Sequence, residues 1–153
     1  MYLISIITVI LGIGLLNLFS GDPISGVTYF LDAVSFVMLG ILTVPMLISS
    51  GLVKDFNNAF RLSMSKNKIS SMGEVKRAIE AVNLVMKVVL VAGVFIATCL
   101  FVIMLHELDA PETLGPKTAI AILSLVYALA INLFLLPLKS RLKMRLQDYM
   151  EEE

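Results

Sequence analysis

Four long apolar stretches constrain this chain more than any other feature. Residues 3–19, 34–52, 88–105 and 118–138 contain no Asp, Glu, Lys or Arg. A bilayer core about 30 Å thick is crossed by a helix of about 20 mostly apolar residues. The four stretches match that length; the first is slightly short, which local thinning of the bilayer accommodates. Their apolar runs are continuous, whereas a barrel strand alternates. A helix also satisfies its own backbone donors and acceptors in hydrocarbon. The expected fold is therefore all-α: one transmembrane domain over residues 1–153 with four membrane-spanning helices. The hydrophobic fraction, 58%, exceeds the roughly half that is usual for soluble chains.

Charge sets the orientation. The link between spans one and two holds Asp22 and Asp32 and no basic residue. The link between spans two and three holds Lys54, Arg61, Lys66, Lys68, Lys76, Arg77 and Lys87, and the tail holds Lys139, Arg141, Lys143 and Arg145. Lys117 alone lies on the other side, so eleven of the twelve basic residues share one side. The positive-inside rule assigns that side, and with it both termini, to the cytoplasm. Span one lacks a basic n-region and a small-x-small cleavage site, so it reads as a retained helix. Cys99, the only cysteine, lies inside span three and has no intrachain disulfide partner.

Ser20-Gly21-Asp22-Pro23 ends span one with turn chemistry. Pro45 in span two predicts a kink. The second helix is expected to continue through Lys54 to Arg61 and to break in the polar run from Ser65 to Ser71. Ser71-Met72-Gly73-Glu74 fits a capping box, from which one helix runs into span three. Residues 54–87 then form a cytoplasmic helical stalk, too short for a core of its own, and 139–153 form a cytoplasmic tail with a disordered Glu151-Glu152-Glu153 end. Lys76 with Glu80 and Glu74 with Arg77 share helix faces and read as a solvated surface.

Enzyme motifs are absent: there is no Gly-rich phosphate loop, no metal-ligand cluster and no Ser/His/Asp set. One His and one Cys do not make a zinc site within one chain. No enzymatic activity, cofactor, metal or nucleic-acid partner is expected. His106 beside Glu107 reads as an interfacial residue, with external pH sensing as the sharper alternative. Ionisable groups inside spans usually mark ion paths, and here the spans hold none. Any path must use hydroxyls, water or a partner's carboxylate. The candidates are Thr98 on span three and Ser124, Tyr127 and Asn132 on span four. Ser124, Tyr127, Ala128, Ile131 and Leu135 share a helix face, from which Asn132 is turned by about 80°. Polar side chains in such helices also serve as interhelical glue, and the small residues of span one, including Gly12 and Gly14, suit close packing.

The run from Ile103 to Pro116, with Leu108-Asp109-Ala110-Pro111-Glu112-Thr113-Leu114-Gly115-Pro116 at its centre, resembles the periplasmic link of the MotA/TolQ/ExbB proton-channel family, MotA branch. The likeness continues through Ala119 to Tyr127, Asn132 and Leu136-Pro137-Leu138, and includes Tyr29-Phe30-Leu31-Asp32 and Lys54-Asp55-Phe56. The resemblance implies a stator-type ion channel in a bacterial inner membrane. It implies a homopentamer around a dimer of MotB-like single-span partners, whose membrane aspartate binds the proton or sodium ion. It also implies an ion pathway at Ala97, Thr98, Ser124, Leu125 and Tyr127, and a hinge at Pro137. Four features depart from the family pattern, one being Leu90 near the place where some members carry a proline at the start of helix three. Ser124-Leu125 stands where a Thr pair is frequent, Ala97 where a Thr is frequent, and the cytoplasmic loop is much shorter than in flagellar members. A TolQ/ExbB-like energy transducer and a non-conducting membrane scaffold remain as alternatives.

Overall fold

The computed structural model describes residues 32–64, 71–106 and 111–151, together with Ile7; side chains of the last segment are described from Leu114. Within them the regular structure is helical: α1 (Ala33–Ser49), α2 (Val53–Met64), α3 (Met72–His106) and α4 (Pro111–Glu151). Two helices, α3 and α4, are long and apolar enough to cross a membrane, and α1 with α2 makes a third candidate if the bent pair is taken as one span. The first apolar stretch, apart from Ile7, lies outside the described residues, as does the predicted break at 65–70.

α1 begins where Asp32 caps it. The carboxylate accepts from the backbone N–H of Val34 at 3.3 Å and of Ser35 at 3.0 Å, two donors that have no partner within the helix. The helix runs through Pro45 without interruption, and the sharp bend falls later. Ser50 caps the end, the Gly51 N–H donates to the Ile48 carbonyl at 3.0 Å, and Gly51 takes φ 71°. That left-handed conformation is open to glycine and costly for other residues. α2 leaves at 98° to α1. The expected continuation of the second helix through Lys54 to Arg61 is thus corrected: these residues are helical, but they form a separate helix beyond an elbow.

α3 starts at the predicted cap. Ser71 Oγ accepts from the Glu74 N–H at 3.4 Å, and the Ser71 carbonyl accepts from the same N–H at 3.2 Å. From there 35 residues form one helix, about 52 Å long at 1.5 Å per residue. α4 has 41 residues, about 61 Å. It begins at Pro111, ahead of the span start expected at 118. Proline fits the first turn of a helix, where its missing N–H would have no partner. α4 then passes through Pro116 and Pro137 and ends at Glu151, so the first of the three terminal glutamates is helical rather than part of a disordered end. Both helices are longer than a bilayer core of about 30 Å, and each carries most of its charged residues toward the end of the hairpin that holds Met72 and Glu151.

α3 and α4 are antiparallel: Gly93 meets Ser124 and Ala128, and Met104 meets Thr118. The seam between them repeats every seven residues. On α3, Val75, Val82, Val89 and Ile96 are buried, with Ala78, Val85 and Ala92 between them. On α4, Ala121, Ala128, Leu135 and Leu142 are buried, with Ser124 and Leu138 between them. This is the 3.5-residue period of coiled-coil packing. Around Gly93 the seam is lined mainly by small residues (Ala92, Gly93, Ala97, Ala121, Ser124, Ala128), whereas toward the start of α3 the valines and alanines of α3 meet Leu135, Leu138 and Leu142 of α4. The two regions are held differently. In the stalk, burying Leu142 removes apolar surface from water and contributes about 1.5–3 kcal/mol. Within lipid that drive is absent, and close approach of small residues holds the pair.

α1 adds a narrow contact through Ser35 and Leu39, while Val34, Phe36, Val37 and Ile41 stay exposed. α2 packs across the base of the hairpin, against both α3 and α4. Ala59 and Ser63 are buried there, and Phe56 and Phe60 meet edge to face with centroids 5.4 Å apart.

Candidate functional site

Among the described residues no three His, Cys, Asp or Glu side chains come together as a metal site. Ser124 lies opposite Gly93 in the hairpin seam and is fully buried. Its Oγ is 2.8 Å from the Ala121 carbonyl on its own helix and 3.3 Å from the Gly93 carbonyl across the seam. A hydroxyl carries one proton, so the two carbonyls share it. A Cβ built on Gly93 would lie 2.6 Å from the Ala128 Cβ and 3.2 Å from the Ser124 carbonyl oxygen. Glycine is thus required for this approach. Ala97 is buried in the same seam, one turn along α3.

Thr98, next in sequence, is exposed, because one residue turns a helix by about 100°. Its hydroxyl donates to the Val94 carbonyl at 2.8 Å. The oxygen's remaining lone-pair capacity stays on the surface turned away from α4. Leu125 is half-buried beside Ser124. Tyr127 faces α1: its hydroxyl oxygen accepts from the Asp32 N–H at 2.7 Å, and its ring meets Phe36 edge to face at 6.2 Å. Asn132 Nδ2 donates to the Ala128 carbonyl one turn back, at 2.9 Å. Pro137 lies inside the uninterrupted α4. Of the five pathway candidates, Ser124 sits in the seam against Gly93, Ala97 is buried one turn along α3, Thr98 is exposed, and Tyr127 joins α4 to the start of α1.

The junction at Tyr127 opens onto a groove of about 600 Å³ lined by Asp32, Ala33, Phe36, Tyr127, Ala130, Ile131 and Phe134. At its rim the Ser35 hydroxyl donates to the Asp32 carboxylate at 2.5 Å. That bond is the main reason the Asp32 pKa falls below its ordinary value; desolvation opposes it, and the backbone N–H groups of Ser35 and Val34 reinforce it. A carboxylate whose pKa is depressed by folding contributes stability above its unfolded pKa, about 3.9, and loses it as the pH falls through the folded value. Asp32→Ala should therefore cost about 1 kcal/mol at neutral pH, the usual loss of an N-cap. Asp32→Asn should keep most of the cap and lose less stability than the native chain on acidification. Thermal unfolding in detergent at pH 7 and pH 3, followed by circular dichroism, measures both. Equal acid sensitivity of the native chain and Asp32→Asn would contradict the assignment.

Two residues of this region were not expected from the sequence. Gly93 is unremarkable there, although the small cluster Ala92-Gly93 inside a long apolar helix is the kind of signal that marks close packing. Asp32 entered only as a charge and as part of a resemblance, although an aspartate directly before an apolar helix is a cap signal. Comparison with models of protein families, with curated proteins and with solved structures finds no match to this chain.

Proposed function

We propose that this chain is a MotA-like stator subunit. Five copies in a bacterial inner membrane would form a ring around two single-span MotB-like partners, and proton or sodium flow would be turned into mechanical work. In this reading the first apolar stretch is a fourth span and both termini are cytoplasmic. One observation carries the proposal. The α3–α4 hairpin has no charged side chain across residues 88–105 and 118–138, yet it continues unbroken into a charged stalk. Such a hairpin is suited to transmit displacement along its length, and an ion path along it would use hydroxyls, water or a carboxylate from a partner. Thr98 is the pathway candidate on an open helix face; Ala97 and Ser124 set the helix spacing behind it. Pro137 leaves the Leu133 carbonyl without its usual donor, a point at which α4 bends at low cost.

The native mass in mild detergent tests this reading. The chain alone is expected as a pentamer, gaining two partner chains on co-production with a single-span protein that carries a membrane aspartate. A monomer or dimer indifferent to the partner would sink the proposal. A non-conducting scaffold is the second reading, favoured by the enclosure of the Ser124 hydroxyl between two carbonyls. It predicts the same assembly without any ion flux that depends on the partner aspartate.

A further inference from the structure

α2 combines a position and a surface that together specify a ligand. The elbow at Ser50–Leu52 follows directly on the last apolar turn of α1 and turns the chain by 98°. A spanning helix tilts by about 20° on average, so with α1 in the bilayer α2 lies within about 30° of the membrane plane. It then sits at the level where the cytoplasmic headgroups begin. Of its 12 residues, nine fall into three arcs at about 100° per residue; exposed Asn58 and half-buried Leu62, which packs against the core, lie on the remaining side with Asp55. Ala59, Ser63 and half-buried Phe56 face the hairpin. Val53 and Met64, 39% and 72% exposed, form an apolar flank beside half-buried Phe60, which packs against the core. Lys54, Asn57 and Arg61 form the adjoining outer arc, all exposed. Lys54 and Arg61 lie two turns apart and within about 20° of each other around the helix. The only acid of α2, Asp55, is half-buried on the far side of the helix from the apolar flank.

We propose that α2 is an interfacial anchor that binds anionic phospholipid, with Val53 and Met64 seated among the upper acyl carbons and Lys54 and Arg61 holding headgroup phosphates. An amphipathic helix in the interface plane buries an apolar flank below the headgroups and sets Lys and Arg among them. An apolar flank bordering a basic arc has that form. A soluble acidic partner would match the two charges but would leave Val53 and Met64 in water. The inference rests on α1 crossing the membrane, which it shares with the proposed function, and is independent of ion conduction and of copy number.

The full chain is tested in vesicles of phosphatidylcholine, alone or mixed with an equal amount of phosphatidylglycerol. The chain has no Trp, so Met64→Trp introduces a single probe at an exposed position. Its emission is expected to be blue-shifted and quenched by lipids brominated near the top of the acyl chain. In detergent extracts, native mass spectrometry is expected to show retained phosphatidylglycerol in preference to phosphatidylcholine. In the double variant Lys54→Gln, Arg61→Gln that preference should fall about tenfold or more. Lys76→Gln with Arg77→Gln removes the same charge from α3, outside the proposed headgroup contacts, and should leave the preference intact. Water-like, unquenched Trp emission from a carbonate-resistant chain would overturn the placement of α2. A preference unchanged in the Lys54/Arg61 variant would overturn headgroup recognition, and displacement of the lipid by inorganic phosphate would reassign the site to a free anion. Release of the chain by carbonate would remove the membrane placement itself, and with it both this inference and the proposed function.

Discussion

Gly93→Val is expected to separate the two long helices. The Cβ of any residue here meets the Ala128 Cβ at 2.6 Å and the Ser124 carbonyl oxygen at 3.2 Å. Neither neighbour is the tip of a flexible side chain, so relief requires that α3 and α4 move apart. Inside lipid no hydrophobic drive holds them against such a displacement, because the alternative contact is equally apolar. Gly93→Ala is the milder form, with an expected loss of about 1–3 kcal/mol from overpacking. The sign is informative, because glycine to alanine inside a helix is otherwise stabilising by up to about 1 kcal/mol. Ala128→Gly removes the closer contact and should restore part of the loss when combined with Gly93→Ala. The carbonyl contact at 3.2 Å remains, so recovery should be incomplete. Thermal unfolding of the four members of this cycle in one detergent gives the coupling directly. A Gly93→Ala protein as stable as the native chain would show that the seam is looser than 2.6 Å implies.

The same seam shows what the sequence could reveal and what it could not. Uninterrupted apolar runs identified α3 and α4, because crossing a bilayer leaves few alternatives to a helix. Ser71 and Glu74 located the start of α3, since a capping box is a local arrangement that needs no tertiary partner. The seven-residue spacing from Val75 to Ile96 was also present: up to Lys87 the charged residues mark the solvent side, but from residue 88 the run is apolar all round and hides which stripe meets a neighbour. The elbow had a signal in Ser49-Ser50-Gly51, as glycine just past a helix end often takes the left-handed conformation. Continuing the helix through it ignored that stop. A kink was also expected at Pro45, through which α1 runs as one helix. For the site, spacing placed Ser124 and Tyr127 on one face of α4 but could not assign that face. Ser124 meets Gly93, whereas Tyr127, three residues on, reaches the Asp32 N–H across to α1. Which side of Thr98 is open depends on the packing partner and on nothing in its own sequence neighbourhood.

That division leads to the largest expected functional effect. If the chain conducts as proposed, Thr98→Val should lower partner-dependent ion flux far more than Ser124→Ala. Thr98→Val preserves shape and removes the exposed oxygen whose proton is already committed to the Val94 carbonyl. What is lost is acceptor capacity on the open face of α3, and the loss of one good hydrogen bond to a charged species, about 1.5–3 kcal/mol, corresponds to a fall of about tenfold to a hundredfold in flux. Ser124→Ala removes a hydroxyl enclosed between two carbonyls. Interhelical bonds of this kind contribute about 0.6 kcal/mol on average, so stability should drop slightly and flux should persist. Ser124→Leu is a different experiment: it forces a large side chain against Gly93, so assembly and flux should be lost together and the result says nothing about the ion's path. The decisive comparison is flux through vesicles holding the chain and its single-span partner, normalised to assembled ring by native mass. A Ser124→Ala ring that assembles but no longer conducts would place the pathway inside the hairpin seam, and the seam would then have to open during transport.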